Sequence, residues 1–262
     1  MKIQILGPLE VKCDKGEEVT PRPLKLRSLL AALCVTSGRP VTASHLIHVL
    51  WSDEPPRTAS TALQVYVSKL RKHFHSAGID PSVLATTPAG YVFRSGGYVM
   101  DRDGFDSLVA KARSAVGVGR AEEAAGAFSE ALSLWSGPAL ADLRDVPALR
   151  DYALQMDERR NSAYEQWLEL EIGLGRHSML TSELYRLIAE KPIWENLHFF
   201  LMIALYRSGR ISECLDVYNR IRRILIEELG MEPSARLQNL HHAVLSREPW
   251  LESSAAPLAA VS

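Results

Sequence analysis

The chain has 262 residues, is 47% hydrophobic and 23% charged, and carries a formal net charge of −1, the profile of an ordinary globular protein long enough for two cores. No apolar run approaches the ~20 residues that a membrane-spanning helix needs. The opening Met1 to Pro8 has no signal-peptide anatomy, and Cys13, Cys34 and Cys214 are too scattered for a disulfide framework or a zinc knuckle. A cytoplasmic protein with no membrane partner is expected.

The near-neutral total hides an asymmetry. Through residue 95 there are 12 Lys+Arg against 7 Asp+Glu, a net +5, while the remainder carries 18 against 24, a net −6. A basic first half joined to an acidic second half suggests that only the first meets a polyanion.

In chain order, Ile3, Ile5, Leu9, Val11 and Cys13 alternate with polar residues across a Gly7-Pro8 turn, which predicts two strands, with a third possible over residues 17–20. Leu24, Leu29, Leu30, Leu33 and Cys34 recur at helical spacing between Pro21/Pro23 and Ser37-Gly38. Thr42 or Ser44 can cap a short second helix that runs to Trp51 and is stopped by Pro55-Pro56. A longer helix is predicted from about Thr58 to Phe74, with Leu63, Val67, Leu70 and Phe74 as one buried stripe. Two strand-like runs, 83–87 and 91–94, then flank Pro88-Ala-Gly90.

Sheet, three helices and a closing hairpin describe a winged helix-turn-helix over residues 1–97, with the third helix placed for the DNA major groove. Opposite its buried stripe lie Thr58, Thr61, Gln64, Val65 and Ser68, short or amide-bearing side chains that allow close approach to base edges. Arg57, Lys69 and Lys72 flank them as phosphate ligands, and Arg94, after the hairpin, is a candidate for phosphates or the neighbouring minor groove. Arg22, Lys25 and Arg27 gather near the start of the first helix, where the helix dipole adds to their attraction for phosphate.

From residue 103 to 250 the chain reads as helix after helix. Gly-Arg recurs at Gly119-Arg120, Gly175-Arg176 and Gly209-Arg210, and the last two glycines are 34 residues apart, the tetratricopeptide period. The first two are 56 apart, the surplus falling over a loop from Trp135 to Pro147. Each glycine is expected to end a helix in the left-handed conformation. Such arrays offer a concave surface to protein partners. Residues 251–262 are expected to form a disordered Ala/Ser/Pro-rich tail.

No site for catalysis, cofactor or metal is predicted, so no enzyme is expected. Gly117-Val-Gly119 and Gly173-Leu-Gly175 do not follow strands, as a dinucleotide fingerprint requires. His45 with His48, and His241 with His242, lack further ligands at metal-binding spacing.

The string Leu50-Trp51-x-Asp53-x-Pro55-Pro56-x-x-Ala59-x-x-x-Leu63-Gln64-x-Tyr66-Val67-Ser68-x-Leu70-Arg71, followed by Gly90-Tyr91 and preceded by Leu6-Gly7-Pro8-Leu9-Glu10-Val11, resembles the Streptomyces antibiotic regulatory protein (SARP) family. The second half is similar to the bacterial transcriptional activator domain at Ala131-Leu-x-Leu-Trp135-x-Gly137-Pro138-Ala-Leu140, at Leu205 to Arg210 and at Glu228-Leu229-Gly230-x-Glu232-Pro233. The resemblance implies a fold of OmpR-like α+β winged helix followed by an all-α, tetratricopeptide-like domain. It also implies a nucleoid-associated, pathway-specific activator of antibiotic biosynthesis genes. Such a protein binds direct repeats in double-stranded DNA as a homodimer and recruits RNA polymerase through its σ factor. The chain has no Walker A motif, and no receiver domain precedes the winged helix, so gating by aspartyl phosphorylation within this chain is not expected. Two other readings stay open: a protein-interaction adaptor whose winged helix does not read DNA, and a repressor of the same fold.

Overall fold

The computed structural model describes residues 1–36, 38–94 and 98–252. They form two compact units: Met1–Ala110 with Glu130–Asn161, and Lys111–Ser129 with the described residues from Ser162 onward.

In the first unit, β1 (Lys2–Gln4) pairs antiparallel with β2 (Glu10–Lys12), placing Ile3 opposite Val11. A third strand joins on the other side of β1, but it comes from Val99–Met100 (β5), parallel to β1, with Met100 beside Ile3. The third strand expected at 17–20 is reduced to a bridge between Glu18 and Lys12. The Val11 amide turns to the Thr20 hydroxyl at 3.0 Å, so a side chain replaces the next rung of the ladder. Two residues are too short a run to signal β5 by alternation.

α1 (Leu24–Val35) is buried almost continuously from Leu26 to Cys34, which explains an apolar stretch with little facial preference. Its expected stop at Ser37-Gly38 lies partly outside the described residues; Gly38 is left-handed at φ +75°. α2 (Ala43–Trp51) starts where Thr42 Oγ1 accepts the His45 amide at 3.2 Å. α3 (Ala59–Ser76) buries Ala59, Leu63, Val67, Leu70 and Phe74, the stripe read from sequence with one more turn. Beyond it a 3₁₀ turn, Pro81–Val83, leads into the hairpin β3 (Leu84–Thr87) and β4 (Gly90–Phe93).

The segment between α5 (Ala121–Ser133) and α6 (Pro147–Gly173) belongs to this same unit. It lies along residues 5–9: Ser136 N–H donates to Leu6 C=O at 2.9 Å, Leu140 N–H to Ile5 C=O at 3.1 Å, and the Asp142 carboxylate accepts the Leu9 amide at 2.7 Å. Asp101, opening α4 (Asp101–Gly117), accepts the amides of Ile5 and Leu6 at 2.9 Å. Gly7 keeps this approach close: a Cβ there would overlap the Ser136 hydroxyl and force it to turn away. Leu6-Gly7-Pro8-Leu9 and Gly137-Pro138-Ala-Leu140, distant in sequence, are therefore two sides of one seam.

In the second unit, the Gly-Arg dipeptides make the same turn three times. Gly119, Gly175 and Gly209 have φ of +74°, +77° and +74°. Each following arginine donates its amide to the carbonyl five residues back, at 2.9 Å in all three cases, the bond that closes a Schellman motif. α7 (His177–Glu190), α8 (Glu195–Arg207), α9 (Ile211–Leu229) and α10 (Ala235–Ser246) complete the array. α8 is buried throughout from Leu197 to Tyr206, between α7 and α9 and under α10 and the 3₁₀ turn Pro249–Leu251. Leu251, read from sequence as the first tail residue, is instead buried, and Arg207 Nε donates to its carbonyl at 2.9 Å. The rest of the expected tail, 253–262, lies outside the described residues.

Candidate nucleic-acid interface

The outward face of α3 is built by subtraction. With the buried stripe turned into the core, a helix of 3.6 residues per turn presents the opposite positions to solvent. Thr61, Gln64, Val65 and Ser68 are all exposed there, with Thr58 exposed at the N-cap. Val65 is an apolar side chain left 47% exposed on a helix that has an apolar core available; a branched methyl surface in that position suits contact with a thymine methyl. Arg57 and Lys72 are exposed at either end, and Lys69 is exposed between them.

Behind this face the three helices are tied by aromatic contacts. Trp51, ending α2, meets Tyr66 of α3 with ring centroids 6.0 Å apart, and Lys69 Nζ lies 5.8 Å from the Tyr66 ring. Lys25, expected with Arg22 to meet phosphate, instead donates its ammonium to the Leu50 carbonyl and lies 5.5 Å from the Trp51 ring. It satisfies the C-terminal end of α2, where a cation is favoured. Arg22 is exposed. Arg27 is taken up by an ion pair with Asp142. Trp51 and Tyr66 are contacts that sequence spacing does not reveal, because they come from helices whose relative placement is a tertiary matter.

The hairpin is held against the helices at several points. Val41 and Tyr91 exchange two backbone hydrogen bonds, 2.8 and 2.9 Å, and Phe74 of α3 lies 6.0 Å from Phe93 of β4. Gly90, at φ +133°, allows this approach, since a Cβ there would overlap the Val41 carbonyl. The hairpin tip, Thr87 to Gly90, carries no charge. Arg94 sits at the opposite, open end, where its amide donates to Val83 C=O at 2.8 Å. The Asp80 carboxyl nearby is held below the usual carboxylate range, first by the Ser82 hydroxyl and amide and then by the charge of Arg94.

Residues 16–93 match the family described as transcriptional regulatory protein, C terminal, and residues 100–245 match the bacterial transcriptional activator domain. The regulatory protein DnrI of Streptomyces peucetius is 37% identical, over 96% of this chain and 94% of its own length. The chain belongs to the SARP family of transcriptional regulators. The regulatory protein AfsR of Streptomyces coelicolor is also 37% identical over 98% of this chain, which spans only 25% of that longer relative. A solved structure of EmbR from Mycobacterium tuberculosis, in complex with a low-affinity phosphopeptide, superposes with a TM-score of 0.86 at 35% identity, covering 99% of this chain and 69% of that one. The SARP assignment agrees with the fold: an OmpR-like winged helix followed by a helical activator domain.

Proposed function

We propose that this SARP-family regulator is a sequence-specific, DNA-binding transcription activator of secondary-metabolite genes. The observation that carries the reading is the outward face of α3: exposed Thr61, Gln64, Val65 and Ser68 opposite a fully buried stripe, in a helix-turn-helix backed by a hairpin. In this reading residues 1–97 are the DNA-binding segment and 103–250 the activator segment. α3 enters a major groove with Thr58, Thr61, Gln64, Val65 and Ser68 nearest the base edges. Arg57, Lys69 and Lys72 fix its register on phosphates. Arg22 and Arg94 are exposed cations that can add to the attraction for DNA, whereas Lys25 acts through α2. Two protomers bind direct repeats, and the assembly recruits RNA polymerase through its σ factor, within the cytoplasm at the nucleoid.

Footprinting of the purified protein on promoter fragments from its own gene neighbourhood, with and without RNA polymerase, tests the reading. Protection of direct repeats spaced about one helical turn, extended by polymerase, supports an activator. Protection that excludes polymerase indicates a repressor, and no protection at low salt indicates an adaptor that does not read DNA.

A further inference from the structure

Arg71 sits on α3 between Leu70 of the buried stripe and Lys72 of the exposed face, and is itself half-buried. Its guanidinium reaches across to the first hairpin strand. Nε donates to Leu84 C=O at 2.9 Å, and Nη2 donates to the Thr86 hydroxyl at 2.8 Å. Both acceptors lie on β3, two residues apart, so the planar fork spans one repeat of the strand. We propose that Arg71 is a positioning residue that locks the recognition helix and the hairpin into one rigid reading head, rather than a phosphate ligand. The proposal rests on the reading that α3 enters the major groove.

A strut of this kind acts by anchorage. A two-stranded hairpin is marginal by itself and takes its orientation from what it is fastened to. β4 is fastened through Val41 and Phe93. Arg71 fastens β3, on the other strand, and does so directly from the helix that carries the base-reading side chains. Charge-assisted bonds from a two-donor fork fix angle as well as distance. A lysine, which is a single point charge on a flexible stem, keeps the charge but cannot hold both acceptors in one plane. A rigid head requires the duplex to present its major-groove bases and the backbone under the hairpin at a fixed separation.

The test uses the full chain and three variants: R71K, R71M and the isosteric T86V. Affinity for the promoter fragment protected by the wild type is measured across a salt series, and hydrogen exchange of the β3 and β4 amides is measured without DNA. The strut predicts that R71K and R71M both bind about tenfold more weakly, ~1.4 kcal/mol, with T86V losing part of that. It predicts an unchanged salt slope and faster exchange of the hairpin amides. If R71K binds like the wild type while R71M loses about one unit of salt slope, Arg71 is a phosphate ligand and the proposal fails. Unchanged exchange in every variant also overturns it. Should R71M fail to fold, T86V carries the same comparison. Should the wild type protect no DNA, the DNA reading fails by itself, and hairpin exchange still decides whether Arg71 is a strut.

Discussion

Neighbouring cations on α3 and α1 have different fates that their charge alone does not reveal. Lys72 is exposed, whereas Lys25 is committed to the end of α2. Lys72→Ala is therefore expected to weaken binding to all DNA sequences alike and to reduce the salt slope by about one unit, whereas Lys25→Ala leaves the slope unchanged; a salt titration of each variant decides. Thr61 is exposed on the outward face of α3 that the proposed reading places in the groove, so Thr61→Trp is expected to abolish operator binding without lowering the urea midpoint. At the same scale, His198 is buried and bonded through Nε2 to the Pro192 carbonyl at 2.9 Å. Burial holds its pKa below the usual 6.5, and burial likewise lowers His177 and His241. In each case the unfolded chain binds the proton more readily, so stability is complete above about pH 6.5 and is lost as pH falls below it toward the lower folded values. Urea midpoints at about pH 7.5 and about pH 5.5 should differ for the wild type and differ less for His198→Gln.

At the scale of elements, periodicity and punctuation explain most of the helices. The four apolar positions of the α3 stripe are all buried, and of the two candidate caps, Thr42 and Ser44, it is Thr42 that accepts the His45 amide and starts α2. The three Gly-Arg turns adopt the left-handed geometry that ends a helix. The hairpin loop is also legible, since Pro88-Ala89 joins strands whose register pairs Thr87 with Gly90. What spacing does not contain is the hairpin's attachment. Gly90→Ala must accommodate both a φ of +133° and a Cβ against the Val41 carbonyl. The backbone strain alone is expected to cost about 1–3 kcal/mol. The variant should lose stability in urea and exchange the Val41 and Tyr91 amides faster; wild-type exchange at both would show that the hairpin is not fastened there.

At the scale of the whole molecule, sequence similarity and compactness divide the chain differently. The two family matches cover residues 16–93 and 100–245, whereas the first compact unit also takes in Glu130–Asn161. The charged groups that join them are specific. Asp101 accepts two amides from residues 5 and 6, Asp142 accepts one from Leu9 and pairs with Arg27, and Arg102 donates to the Val35 carbonyl at 3.1 Å, capping α1. Asp142→Ala leaves the Leu9 amide and the Arg27 guanidinium without these partners, a loss expected to cost about 1–3 kcal/mol. It should lower the urea midpoint of the full chain although the residue lies in the activator segment. An unchanged midpoint would mean that the seam contributes nothing to folding.

The amino-acid sequence by itself determined the first two strands, the three helices and the hairpin of the first half, the helical character of the second, the buried face of α3 and hence its outward face, the left-handed glycine turns and the family. Each of these follows from spacing along a single segment or from a contiguous motif, where the relevant period is 2 or 3.6 residues. Tertiary structure decided the rest. It recruited Val99–Met100 as the third strand, buried α8 among its neighbouring helices, turned Lys25 and Arg27 inward, and set Arg71 against the hairpin. These outcomes depend on which charged groups meet which unpaired backbone carbonyls and amides once the chain is compact. A lysine or arginine in sequence has a charge but no direction, and only the packed neighbours supply one.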